Sequence, residues 1–232
     1  MIRFHELENL GVTIAAMTER RDGDCSASHG GMARRNCCAA LGILPESLTC
    51  GKQVHGAAVA IVTEAERGRD GASGESPLVG TDGLVTAVPG LPLAIFVADC
   101  VPIFLFAPSF RVGGLVHAGR KGTREDVAGA AVRVMTERFD VLPEDIHALI
   151  GPSAGPEFYE VSEELAADWG KAGLPRRGRN LDLWEANRRA LAKARVPTSQ
   201  VYISGLCTIK SSRLFSYRRG DLTARNMAVL MI

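Results

Sequence analysis

Short runs of apolar and β-branched residues recur along the chain, at 10–17, 57–63, 84–88, 93–97, 101–106, 112–116, 146–150 and 201–203, and they predict strands. Between some of them the spacing changes to a helical period. The clearest case is 124–139, where Val127, Ala131, Val132, Val134 and Met135 form one apolar face. Thr123 followed by Asp126 has the capping-box arrangement at its start. Asp182 with Glu185 marks a second helix over about 183–195 that ends before Pro197, and a third over 33–41 closes at Gly42. Strands outnumber helices, and two follow almost back to back around Ala98-Asp99-Cys100. That order disfavours a regularly alternating parallel sheet and predicts an α/β sandwich of mixed sheets, in one domain over 1–232. The Gly-, Ser- and charge-rich stretch 67–80 reads as a surface loop.

Composition adds exclusions. The 232 residues are 46% apolar and 23% charged, as in a globular protein with a sizeable core. A formal net charge of +1, from 27 basic and 26 acidic side chains, provides no field that would draw the chain to nucleic acid or an anionic membrane. No apolar run approaches the roughly 20 residues that span a bilayer, and the first residues lack the layout of a secretory signal. The expectation is a cytoplasmic monomer whose partners are small molecules. Six cysteines without a disulfide-scaffold rhythm read as reduced thiols, the vicinal Cys37 and Cys38 as core and rim of one helix.

Neither a P-loop, an H-E-x-x-H motif nor a G-x-G-x-x-G turn is present. Chemistry is instead suggested where polar residues end very apolar segments: His55 in Gln53-Val54-His55-Gly56, Cys100 after 95–98, and His117 after 114–116. Two imidazoles and a thiolate suit zinc, and three protein ligands leave a fourth position open. The same residues also read as two ordinary histidines and a core cysteine. After His117, the stretch Gly119-Arg120-Lys121-Gly122-Thr123-Arg124 places cations at a helix start, where they could hold phosphate or form a solvated turn.

Taken together, the motifs resemble the YfiH-like laccase-domain family, also described as multicopper polyphenol oxidases and purine nucleoside phosphorylases. They are Gln53-Val54-His55-Gly56, Thr81-Asp82-Gly83, Ala98-Asp99-Cys100-Val101-Pro102, His117-Ala118-Gly119, Gly151-Pro152-Ser153, Tyr159-Glu160-Val161, Cys207-Thr208 and Phe215-Ser216-Tyr217-Arg218-Arg219. The resemblance implies a four-layer α/β/β/α sandwich, zinc on His55, Cys100 and His117, and phosphorolysis of adenosine, inosine or methylthioadenosine with possible deamination of adenosine. Two departures stand out. Arg120-Lys121-Gly122 replaces the family's usual Trp-Arg-Gly, and Glu157-Phe158 replaces a cysteine pair common before Tyr-Glu-Val.

On this basis Cys100, His117 and Lys121 are expected to be catalytic, and Arg120, Lys121 and Arg218 to bind substrate or phosphate. Copper ranks behind zinc as the metal, since five histidines cannot furnish several copper centres. Two rival readings are a cysteine hydrolase or deamidase using Cys100 and His117, with Asp82 a guessed third member, and a zinc-stabilised non-catalytic module that binds nucleosides or a protein. Closure of the metal by Cys207 or His29 would favour the module. Asp99 is expected to point away from Cys100 and not to serve as a base.

Overall fold

The computed structural model describes residues 1–26, 31–70 and 76–232. In chain order its strands are β1 (Ile2–Arg3), β2 (Ile14–Met17), β3 (Thr49–Lys52), β4 (Val59–Ile61), β5 (Leu78–Val79), β6 (Gly83–Thr86) and β7 (Leu93–Val97). They continue with β8 (Val101–Ala107), β9 (Val112–Ala118), β10 (His147–Ile150), β11 (Arg176–Arg177), β12 (Asn180–Leu181), β13 (Val201–Ile203) and β14 (Asn226–Met231). The helices are α1 (His5–Glu8), α2 (Gly31–Ala40), α3 (Arg120–Arg124), α4 (Val127–Phe139), α5 (Glu163–Lys171) and α6 (Leu183–Lys193).

Two six-stranded mixed sheets form, in the orders β1-β2-β14-β7-β3-β5 and β13-β10-β8-β9-β6-β4. Alternation along the strands explains how they stack. In β8, Val101, Ile103 and Leu105 join the side chains of α4, α5 and α6, while Phe104 and Phe106 point the other way into a core shared with the first sheet. In β7, Leu93, Ile95 and Val97 meet that shared core, while Ala94 faces Cys37 and Cys38 of α2. The layers are therefore helix, sheet, sheet, helices. Because both faces of β7, β8 and β14 are covered, their sequences are continuous apolar runs rather than alternating ones. Each buried phenylalanine in the shared core contributes on the order of 2–3 kcal/mol. The packing is tight at Gly113 of β9, where an added Cβ would lie 2.6 Å from Ile232 Cγ2.

Several expectations need correction. The helix expected over 124–139 is broken: α3 starts at Arg120 directly after β9, and α4 begins at Val127. Asp126 caps α4 alone, with a left-handed backbone and a carboxylate that accepts from Gly129 N at 3.2 Å. Thr123 is no cap, since its hydroxyl accepts from Asn187 Nδ2 at 3.1 Å and ties α3 to α6. Within the supposed loop, Leu78–Val79 pairs with β3 in parallel. Residues 71–75 of that stretch lie outside the described residues, as does His29. Cys37 and Cys38 are both buried in the core beneath the first sheet, so neither forms a rim. Asp182 does cap α6, accepting from Glu185 N at 2.9 Å.

Candidate metal centre and substrate cleft

Each candidate ligand stands where the chain leaves a strand. His55 lies in the link from β3 in the first sheet to β4 in the second, and Cys100 in the short link from β7 to β8. His117 is the penultimate residue of β9, on the same face as Leu115. One nitrogen of each imidazole and the thiol sulfur all lie within 4.8 Å of one another. The two rings meet edge to face, their centroids 4.8 Å apart.

Asp82, at the entry to β6, organises this cluster. Its buried carboxylate accepts from His117 Nδ1 at 2.8 Å and from the backbone N–H groups of His55 at 2.9 Å, Gly56 at 2.8 Å and Val54 at 3.2 Å. A carboxylate only accepts here, so His117 Nδ1 carries a proton toward Asp82 and Nε2 is the nitrogen left to face a ligand. The same bonds hold the turn that places His55 at φ +63°, a left-handed backbone uncommon for a residue with a Cβ. Burial works to raise the Asp82 pKa, but the His117 hydrogen bond and the amides outweigh it and hold the carboxyl below its usual range.

The electrostatics of Cys100 run against its burial. Burial chiefly, with nearby negative charge, pushes other thiols up, to about 11 for Cys38 and about 12 for Cys50. At Cys100 burial is opposed by the charge and hydrogen bond of His117 and by His55, which bring the thiol down to about 6. Burial likewise disfavours charge on His117, yet Cys100 and Asp82 raise it to about 9. The metal-free site therefore favours a thiolate beside a protonated His117, and a metal would take the place of the Nε2 proton. Gly119 completes the cradle, since a Cβ there would lie 3.0 Å from His55 Cδ2 and 3.1 Å from Cys100 Sγ. The donor set, the ligand-facing Nε2 and this cleared space fit a transition metal with nitrogen and sulfur preference. Among the described residues no fourth donor joins the cluster. Cys207 faces elsewhere, its sulfur accepting from Gly155 N at 3.2 Å in a separate cavity with Trp184 and Phe158.

His55, Cys100 and His117 line a cleft of about 770 Å³. Phe96, Tyr159 and Tyr217 add aromatic surface, and Arg34, Lys52, Arg218 and Arg225 add positive charge. Gln53 braces one wall by exchanging hydrogen bonds with the backbone of Phe96, at 2.9 and 2.8 Å. Arg218 stacks over Tyr159, 4.8 Å from the ring centre, and also lines an adjoining depression of about 480 Å³ together with Arg120 and Arg179. Lys121 is exposed and lies outside both linings. Successive helical residues project about 100° apart, so a helix that starts at Arg120 cannot aim both side chains at one site. Asp82, Gln53 and Tyr159 stood in quoted motifs without a firm role, whereas Arg34, Lys52 and Arg225 carried no local signal.

Residues 20–232 match the family described as multi-copper polyphenol oxidoreductase laccase. The chain belongs to this family. Among its relatives, the purine nucleoside phosphorylase YlmD of Geobacillus stearothermophilus is 38% identical over 193 residues, 78% of this chain and 70% of that protein. A purine nucleoside phosphorylase of Deinococcus radiodurans is 38% identical over 204 residues, 85% of this chain and 75% of the relative. The crystal structure of the Geobacillus YlmD superposes with a TM-score of 0.85 at 34% identity, over 94% of this chain and 91% of that one. That of the Bacillus licheniformis protein YfiH gives 0.83 at 29% identity, over 94% and 92%. The sandwich is thus the family fold, and the family relatives support an enzyme of the phosphorylase type.

Proposed function

We propose that this chain is a zinc-dependent purine nucleoside phosphorylase acting on adenosine, inosine or methylthioadenosine, with adenosine deamination as a second activity of the same cleft. The observation that carries the reading is the position of the three donors on the wall of a cleft that also offers aromatic rings and cations. The metal is assigned to His55 Nε2 or Nδ1, Cys100 Sγ and His117 Nε2, with copper the lesser alternative, and when bound it supplies Lewis acidity. The chain's own residues do the rest. Phe96 and Tyr217 present faces on which a purine can pack. Arg120 and Arg218 hold phosphate beside the ribose, so that a C1′–O bond forms as the C1′–N9 bond breaks and the base departs with a proton. Holding the two reactants in line supplies most of the acceleration. Lys121 is not placed on the phosphate, for the reason of direction given above.

One other reading has an observation in its favour. Cys100, His117 and Asp82 form the contacts of a nucleophile, base and orienting carboxylate, as a cysteine hydrolase or deamidase requires. The second imidazole, His55, has no part in that scheme and favours the metal. A non-catalytic binding module is less favoured because among the described residues no fourth donor closes the cluster.

The test is release of base from the three nucleosides with and without phosphate, using protein of measured metal content beside Cys100→Ala. Phosphate-dependent turnover that disappears with the metal in the variant supports the proposal. Zinc bound without turnover of any nucleoside overturns it in favour of a binding module. Rapid alkylation of Cys100 at full metal content would favour the hydrolase.

A further inference from the structure

The residue before Cys100 has an environment that the metal centre does not explain. Asp99 is 5% exposed and holds a left-handed backbone at φ +83°. Its Oδ1 accepts from Thr208 Oγ1 at 2.6 Å, and its Oδ2 accepts from the backbone N–H of Arg218 at 2.8 Å. Its carbonyl oxygen accepts from Ala154 N at 2.9 Å. One side chain therefore joins the β7–β8 link to two distant segments. The Arg218 segment is a single turn, Tyr217–Arg219, whose first two residues line the cleft. Around it the contacts continue outward: Arg218 donates to Glu160 O at 2.5 Å and stacks on Tyr159, and Arg219 donates to Thr208 O at 2.9 Å.

We infer that Asp99 is a positioning residue that fixes the Tyr217–Arg218 turn relative to Cys100, and so sets the distance between the substrate-binding arm and the metal ligands. The inference rests on the phosphorylase reading for its consequence on turnover, though not for the contact itself. Each carboxylate oxygen accepts from a protein donor, the arrangement of a group that holds two segments together. A carboxylate bonded to two donors is also the chemistry that holds a loop in place across a long sequence separation. The left-handed backbone turns the side chain away from the strand direction and toward residues 208 and 218.

Two substitutions separate positioning from chemistry. Asp99→Gly tolerates the positive φ, so it removes the carboxylate without adding backbone strain. Asp99→Asn keeps the shape: its oxygen accepts from Arg218 N while its amide donates to the Thr208 hydroxyl, which changes from donor to acceptor. Hydrogen exchange at the Arg218 amide and metal content are measured for both, together with KM and kcat for nucleoside and phosphate. Expected in Asp99→Gly are loss of Arg218 amide protection by roughly tenfold or more and a rise in KM of about tenfold to a hundredfold, at wild-type metal content. Asp99→Asn should restore both. Unchanged protection of the amide in Asp99→Gly would overturn the inference. So would an inactive Asp99→Asn with an ordered turn, because the carboxylate would then act on substrate. If wild-type protein turns over no nucleoside, the phosphorylase reading falls while the exchange measurement still decides what Asp99 holds.

Discussion

Replacing Asp82 by Asn should weaken metal binding without removing a ligand. The substitution preserves shape and exchanges one acceptor oxygen for an NH2 donor, in a buried position that now receives four N–H groups. If the remaining oxygen faces His117 and His55, the NH2 confronts the amides of Val54 and Gly56, and two part-buried donors lose their acceptor. At the lower end of the range for a lost acceptor, about 1 kcal/mol for each, the cost is roughly 2 kcal/mol of stability. If the amide flips, its NH2 donates to His117 Nδ1, which moves the imidazole proton to Nε2 and removes the lone pair that would bind metal. Either orientation disturbs an orienting contact of a kind whose loss lowers metal affinity about 10- to 100-fold. Zinc competition against a chromophoric chelator measures the affinity, and thermal unfolding of the metal-free variant measures the stability separately. An affinity equal to wild type would refute the claim that Asp82 sets the tautomer of His117.

Four further outcomes are expected. Gly119→Ala places a methyl 3.0 Å from His55 Cδ2 and 3.1 Å from Cys100 Sγ, at a backbone φ of −74° that alanine accepts. It should weaken zinc binding by about 1–3 kcal/mol in the same titration while the fold survives. Without metal, the Cys100 thiol lies at about 6 and His117 at about 9, so between these values the thiolate is already formed and His117 must lose its proton to ligate. Calorimetry in buffers of different ionisation enthalpy should therefore show release of about one proton per zinc near neutral pH, falling away above about pH 9 and rising below about pH 6, where affinity drops. Alkylation of Cys100 should be fast in metal-free protein and slowed when zinc is loaded, as mass spectrometry of the modified peptide would report. Burial works to raise the Glu19 carboxyl, but the Arg213 hydrogen bond at 2.5 Å, with the amino-terminal charge, holds it below the usual range. A depressed folded pKa stabilises above the unfolded value and is lost as pH falls through the folded one. Arg213→Ala should accordingly move acid unfolding, followed by circular dichroism, to higher pH.

The parts of the fold that could be read in advance are those whose burial is written locally. β7 and β13 have the boundaries expected, and β8 and α6 differ by one or two residues, because their apolar runs or capping side chains lie within the element. β3 was missed since Thr49-Cys50-Gly51-Lys52 has no apolar run, and its strand character comes from pairing with β7 and β5. β14 and α5 were missed as well, although Ser162 caps α5 and the run at 227–232 is apolar. Within the site, His55, Cys100 and His117 were visible as polar residues at strand ends. Their mutual approach depends on how two sheets stack, which no local pattern records. The roles of Asp82 and Asp99 were not legible for the same reason, since each is defined by partners tens of residues away. The start of α3 was placed four residues too late, so the exposed position of Lys121 on its first turn was not legible either.

His55 and Cys100 both sit in links where the chain passes from one sheet to the other. A folding intermediate with only one sheet formed lacks the arrangement that gathers the three donors. On the proposed metal reading, metal capture would report completed assembly, with the two sheets already docked. The ion, once held, ties together two crossings that would have to separate for the sheets to slide apart. Unfolding of the loaded protein should then begin elsewhere, at the helical layers, with the seam between the sheets the last region to open.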